Sequence, residues 1–333
     1  MTISITKTAI NFGTYSMSLH PAGIEIDGKF KYGSYALTPP PNAYGSISGY
    51  TSGGRTPAFK NTIDKYSFTS DGDATDVGDL TIGSYGGAGQ SSATSGYTAG
   101  NNAPSIPFAT MNTIDKFPFA SDGNATDVGD LTQGRWYAAG QSSEVSGYSS
   151  GGRTGPALTV YNTIDKFPFA ADGNATDVGD LTQARYAPAG QSSDVSGYSS
   201  GGGAPARQNT IDKFPFAADG NATDVGDLTV VGNGAGGQSS EVSGYMSGGQ
   251  RGGYSNVIDK FSFAADGNAT DVGDLTVGKA YRTGTSSTTS GYTAGGMFPV
   301  SNVIDKFPFA SDGNATDVGN LTAGRFGPSG QQV

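Results

Sequence analysis

Arginine and aromatic side chains stand side by side at Arg135-Trp136-Tyr137, Arg185-Tyr186, Tyr281-Arg282 and Arg325-Phe326, and aspartates stand spaced along Asp172-Gly173-Asn174-Ala175-Thr176-Asp177-Val178-Gly179-Asp180. The first grouping is recognition chemistry. Guanidinium groups fork onto carboxylates and phosphates, aromatic faces accept sugar rings or cations, and Tyr, Trp and Arg are enriched at the energetic anchors of interfaces. The second grouping offers oxygen ligands of the kind that hard cations such as Ca²⁺ prefer. It is no EF-hand, because the glycine is misplaced and no bidentate glutamate closes the loop. The same residues also read as a polar hairpin turn with Asp at its ends.

Catalytic chemistry finds little to work with. His20 is the only histidine, which leaves no triad and no histidine metal centre, and the absence of cysteine removes thiolate nucleophiles, thiolate metal sites and disulfides. A glycoside hydrolase needs one unique pair of carboxylates, whereas the aspartates here are copied along the chain. A net charge of −10 and a pI near 4.4 oppose binding to a phosphate backbone. The chain therefore reads as non-enzymatic, with no nucleic-acid partner and no membrane insertion. Met1 to Gly13 alternates Thr, Ser and Ile instead of pairing a basic region with an apolar run, which argues against a secretion signal.

The elements that position these groups repeat. Asn-x-Ile-Asp-Lys recurs around Ile63, Ile114, Ile164, Ile211, Ile258 and Ile304, at spacings of 51, 50, 47, 47 and 46 residues. A period near 50 means repeated supersecondary units rather than one ordinary core. With 54 glycines and 14% charged residues, each unit reads as short strands joined by tight turns. Four strands fit, here called a to d. In the third copy, a surrounds Gly140 to Ser143, b is 146–150, c is 162–167, stopping before Pro168, and d is 176–181. Small residues in strand a suit strands that crowd round an axis.

The ends complement one another. The first copy begins at Ser46 with no strand a, and the chain finishes with Ser329-Gly330-Gln331-Gln332-Val333, a strand a with nothing after it. Joined, they complete one blade, so the fold class predicted is all-β: a six-bladed β-propeller of four-stranded blades closed by the C-terminal strand, with a short N-terminal β segment. Gln90, Gln141, Gln191, Gln238 and Gln331, with Thr285 in the sixth copy, are predicted to line its axial channel.

Double glycines at 53–54, 151–152, 201–202, 248–249 and 295–296, followed by Asn-x-Ile and an aromatic with proline, make the repeat resemble the kelch family over residues 46–333; the second copy departs with Ala99-Gly100, and the late tryptophan of kelch repeats is missing. That resemblance implies four-stranded blades. The copper oxidase chemistry of some kelch-like propellers has no ligands here. More narrowly, Asn-Thr-Ile-Asp-Lys-Phe-Pro-Phe-Ala-x-Asp-Gly-Asn-Ala-Thr-Asp-Val-Gly-Asp-Leu-Thr resembles repeats in fibre or structural proteins of marine, particularly cyanobacterial, phages, which implies a virion or extracellular location.

In an up-down blade the b-to-c and d-to-a connections share one face, and these are the two stretches that vary between copies. All eight arginines fall in them, whereas the constant turns of the opposite face hold eighteen aspartates in the c-to-d set plus Glu144, Asp194 and Glu241. One face is thus acidic and repetitive, the other diverse. Binding is usually carried on loops held by a rigid scaffold. The predicted ligand-binding set is Arg55, Phe59, Trp136, Tyr137, Arg153, Arg185, Tyr186, Arg207, Arg251, Tyr254, Tyr281, Arg282 and Arg325, with a cell-surface glycan or protein as partner. The candidate metal set, with Ca²⁺ as the only cofactor contemplated, is Asp122, Asp127, Asp172, Asp177, Asp219, Asp224, Asp266 and Asp271. The repeated Asp-Lys of strand c reads as a cross-blade ion pair or a solvated edge. Residues 1–45 do not repeat; Gly23 to Tyr32 alternates about Asp27-Gly28 as a hairpin does, and Pro39-Pro40-Pro41 makes a stiff spacer. This segment is predicted to join other virion or filament subunits through residues 1–38, which opens the alternative of a self-assembling structural subunit.

Overall fold

The computed structural model describes residues 10–12, 15–20, 23–26, 30–32, 45–104, 109–155 and 158–333, in two compact units that divide at Pro40/Pro41. In the first unit, Ile10–Phe12, Tyr15–His20, Gly23–Ile26 and Phe30–Tyr32 form an antiparallel meander in chain order. The expected hairpin is its last pair, with Ile24 opposite Tyr32 and Ile26 opposite Phe30. The first two strands were not anticipated.

The second unit is a six-bladed β-propeller. Each blade is a four-stranded antiparallel sheet in the order a-b-c-d. In the third blade the strands are Ala139–Ser142, Ser146–Ser150, Thr163–Pro168 and Thr176–Asp180. Strand c reaches one residue further than the sequence suggested, because Pro168 is its terminal residue and sits opposite Ser146, where no donor is needed. Closure is as expected: Ser329, Gly330, Gln331 and Gln332 pair with Ser52, Thr51, Tyr50 and Gly49.

Each seam between blades is built from constant residues. The tyrosine of strand b in one blade meets both aromatics of the Phe-Pro-Phe segment in the next: Tyr97 lies 5.5 Å from Phe167 and is stacked on Phe169 at 4.9 Å. The strand-c lysine then bonds the first aspartate of the next c-to-d turn, as Lys116 does to Asp172 at 2.7 Å. Within that turn, Asn174 Oδ1 accepts the backbone N–H of Asp130 in the preceding blade, and Asp177 Oδ1 accepts the N–H of Gly179. Round the axis, a Cβ on Gly140 would fall 2.1 Å from the Gly89 carbonyl oxygen, so the inner strands approach as closely as backbone permits. A circle of side chains ties these strands together: the N–H groups of residues 91, 142, 192, 239 and 332 bond the hydroxyls of Ser142, Ser192, Ser239, Ser286 and Ser91, and Gln332 Oε1 accepts from Ser286.

Gln90, Gln141, Gln191 and Gln238 border a small axial cavity, as expected of the ring, but their side chains are spent on the seams. Gln141 and its counterparts are about 1% exposed, and each of the five amides donates to the backbone of the next blade, as Gln141 Nε2 does to the Tyr198 carbonyl at 2.9 Å. They clamp blade to blade.

The seam that joins the last blade to the first carries its own pairing. Its strand a has Thr285 where the others have glutamine, and the facing blade has Tyr66 where the others have phenylalanine; the Tyr66 hydroxyl meets Thr285 Oγ1 at 2.6 Å. The turn of the first copy has Asp73 in place of asparagine, and the sixth strand d ends in Asn320 in place of aspartate. These two also meet, with Asn320 N and Nδ2 donating to Asp73 Oδ1 at 2.9 and 3.2 Å. Each departure from the consensus is answered by its neighbour.

Candidate functional site: the variable face

The b-to-c and d-to-a connections lie together, as isolated bridges between them show: Arg55 with Phe326, Tyr85 with Asn102, Trp136 with Arg153, Tyr186 with Gly203 and Ala280 with Met297. At the axis, six backbone groups form a closed hydrogen-bonded circle. Tyr137 N donates to Gly86 O, Ala187 to Tyr137, Gly234 to Ala187, Tyr281 to Gly234, Gly327 to Tyr281 and Gly86 to Gly327, at 2.5 to 2.8 Å. All six have φ between 51° and 76°, which glycine adopts freely but Tyr137, Ala187 and Tyr281 adopt only when their surroundings hold them there. The circle residues border a half-open axial cavity of about 100 Å³, and a second of about 60 Å³ lies toward the a-to-b turns. Both are smaller than the roughly 300–1,000 Å³ of ordinary small-molecule pockets.

The rim is aromatic. Tyr85, Trp136 and Tyr137 are buried, and Phe59, Tyr186, Tyr281 and Phe326 pack partly exposed against them. Burial holds the Tyr137 hydroxyl well above the usual tyrosine range and raises that of Tyr281, so both are neutral donors. Arg153 lies with its guanidinium carbon 4.0 Å from the Trp136 ring centre and 4.4 Å from that of Tyr186, and Arg55 lies 4.9 Å from Phe59. Arg207 Nε donates to Asn233.

Arg185, Arg251, Arg282 and Arg325, expected among the ligand-binding residues, are turned inward instead. Together with Arg135 they form ion pairs with the buried strand-c aspartates: Arg135 with Asp165 at 3.0 Å, Arg185 with Asp212, Arg251 with Asp259, Arg282 with Asp305 and Arg325 with Asp64. The reason is electrostatic. Each aspartate is almost fully buried, and a buried carboxylate demands a counter-charge or a proton. The repeated Asp-Lys therefore divides, the lysine bridging blades, which was one of the two readings the pair allowed, and the aspartate facing inward. Three arginines come from one position of the d-to-a connection. Where that position is Gly232 or Lys279, the guanidinium arrives from Arg251 or Arg282.

The second blade is the exception. Ser84 occupies the arginine position, and Asp115, about 1% exposed, accepts only from Thr81 N and Oγ1 at 3.1 and 2.7 Å. Burial pushes its carboxyl above the usual range, and the Thr81 bonds only partly oppose that shift. Asn101 and Asn102, buried nearby in the sequence, find no hydrogen-bond partner for either side-chain polar atom.

Of the candidate metal residues, Asp122, Asp172, Asp219 and Asp266 bond Lys65, Lys116, Lys166 and Lys213, while Asp127, Asp177, Asp224 and Asp271 cap the glycine two residues on. Among the described residues no group of three or more His, Cys, Asp or Glu is placed to hold a metal ion. The turn reading accounts for these contacts. Sequence reasoning missed Phe298, which stacks on Tyr254 of the neighbouring blade at 4.8 Å and 18° while both rings stay largely exposed. Its φ of 69° was not legible in the residue type.

No family model matches the chain, and no curated protein matches it. Among solved structures, that of YjhT is similar with a TM-score of 0.62 and 13% identity, over 76% of this chain and 88% of that one. At that identity the likeness is one of fold. The chain is a six-bladed β-propeller.

Proposed function

We propose that the protein is a non-enzymatic binding propeller that holds a cell-surface glycan or protein on its variable face. One observation carries this reading. The buried ion pairs, glutamine clamps and aromatic seams hold the ring through constant residues and inward-turned arginines, whereas Arg55, Arg153, Tyr186, Arg207, Tyr254 and Phe298 take no part in them. Side chains without a structural duty on a rigid scaffold are free to serve recognition. The likeness of the repeat to those of phage fibre proteins is what favours a virion-associated or extracellular setting. The test is adsorption of purified protein to candidate host cells and to a glycan array. Replacing Tyr186, Tyr254 and Phe298 with alanine should abolish retention, and unchanged retention would remove the reading.

A second reading, a self-assembling structural subunit, draws on the four-stranded meander of residues 10–32, whose outer strands are three residues long. Strand edges recruit other strands. Deleting residues 1–38 separates the two: a filament subunit would become monomeric, and a binding head would keep its ligand.

A further inference from the structure

The face that binds is also charged in one sense only. Its twelve connections contain no Asp or Glu, and five of its eight arginines are neutralised by buried aspartates. Arg55, Arg153 and Arg207 remain, and no ion pair to a carboxylate is formed by any of them among the described residues. They stand round the axial circle: Arg153 lies 5.5 Å from the Tyr137 ring centre, Arg55 lies 5.7 Å from that of Tyr85, which meets Tyr137 edge-on at 5.9 Å, and Arg207 bonds Asn233, the residue before Gly234 of the circle.

Two buried donors at this point have no acceptor in the protein, Trp136 Nε1 and Arg153 Nε. Trp136 is 8% exposed, and the two side chains lie against each other. Buried donors are nearly always paired, because an unpaired one costs roughly 1–3 kcal/mol. A guanidinium fixed between two rings keeps little rotamer freedom to lose on binding, so it is preorganised. Tyr186, Phe59 and Phe326 beside it present partly exposed ring faces.

We infer that the axial mouth of the variable face is an oxyanion site, in which Arg153, with Arg55 and Arg207, receives carboxylate or sulfate groups borne on a sugar chain. The inference rests on the reading that this face binds a partner, and it names the chemistry of that partner. An oxyanion oxygen supplies the acceptor that Trp136 Nε1 and Arg153 Nε lack, and the flanking rings take the sugar faces.

Trp136 is the only tryptophan of the chain, so its fluorescence reports on the site directly. The full-length protein is titrated at low salt with a heparin-derived sulfated oligosaccharide, an oligogalacturonate, neutral maltohexaose and poly-L-glutamate. A saturable response to the sulfated or the carboxylated sugar supports the site and tells which oxyanion it takes. That response should weaken by about tenfold or more in R153Q, weaken in R153K because an ammonium lacks the fork, fade with added salt, and persist in K166Q on strand c. Should R153Q fail to fold, the salt dependence and a Y186A titration decide. No response to either anionic sugar, an equal response to maltohexaose, a response to poly-L-glutamate alone, or binding indifferent to R153Q and salt would overturn the inference. Cell adsorption that survives such a result would leave the binding face standing with a neutral or protein ligand, so the two failures are distinguishable.

Discussion

Exchanging one repeated aspartate for asparagine should have opposite consequences in neighbouring blades. In the third blade, Asp165 is fully buried, accepts from Thr132 N and Oγ1 at 3.0 and 2.7 Å, and pairs with Arg135 at 3.0 Å. D165N strands a guanidinium that has no exposure to water, and breaking one side of a buried pair costs roughly 3–5 kcal/mol. For a unit of this size the unfolding entropy turns about 4 kcal/mol into a fall in Tm of roughly 6 °C. Asp115 has the same two threonine bonds and no guanidinium. D115N removes a carboxylate whose burial is uncompensated, so its Tm at pH 8 should equal or exceed that of the parent. The pH dependence follows from the direction of the Asp115 shift. Its carboxyl is raised in the folded state, so the stability it contributes is complete below the unfolded carboxyl range and is lost as pH rises through the folded value. D115N should abolish that decline. Differential scanning calorimetry of both variants between pH 4 and pH 8 reads the result. A D115N variant as destabilised as D165N would refute the account in which the arginine separates the two sockets.

The closing seam should show coupling in chemical denaturation. N320D brings a carboxylate against Asp73 and should cost ~0.5–1 kcal/mol, which D73N restores by recreating the pairing of the other five seams. T285Q should be destabilising beside Tyr66, whose hydroxyl it displaces, and tolerated better in combination with Y66F, as a double-mutant cycle would register. At the axis, G140A places a methyl group 2.1 Å from the Gly89 carbonyl oxygen, and the yield of folded protein should fall sharply. In the Asp-Gly-Asn turns, N174A removes the acceptor for the Asp130 N–H and should lower the denaturation midpoint, and a shift of the same size with and without millimolar Ca²⁺ is the outcome expected of a turn that locks blades.

Much of the ring was written in the chain. Period, strand order, the complementary ends and the division of variable from constant connections all follow from local signals: a hydrophobic pattern of period two, glycine and Asp-Gly at turns, and repetition itself. A bridge between blades was one of two readings open for the repeated Asp-Lys, and the structure gives it to the lysine alone.

What the sequence could not show was direction. Arg185 and Arg153 look alike in a loop, yet one descends to Asp212 and the other stays on the rim between Trp136 and Tyr186. The choice is made by burial of the strand-c aspartates, whose demand for counter-charge acts across space and is met from different chain positions in different blades. The glutamines, too, could be placed near the axis but not turned into the neighbouring blade. Sequence determined the wheel because its forces are local and repeated. Only the tertiary structure decided which charges are consumed inside it and which remain at the rim, because desolvation is a property of place and not of residue type.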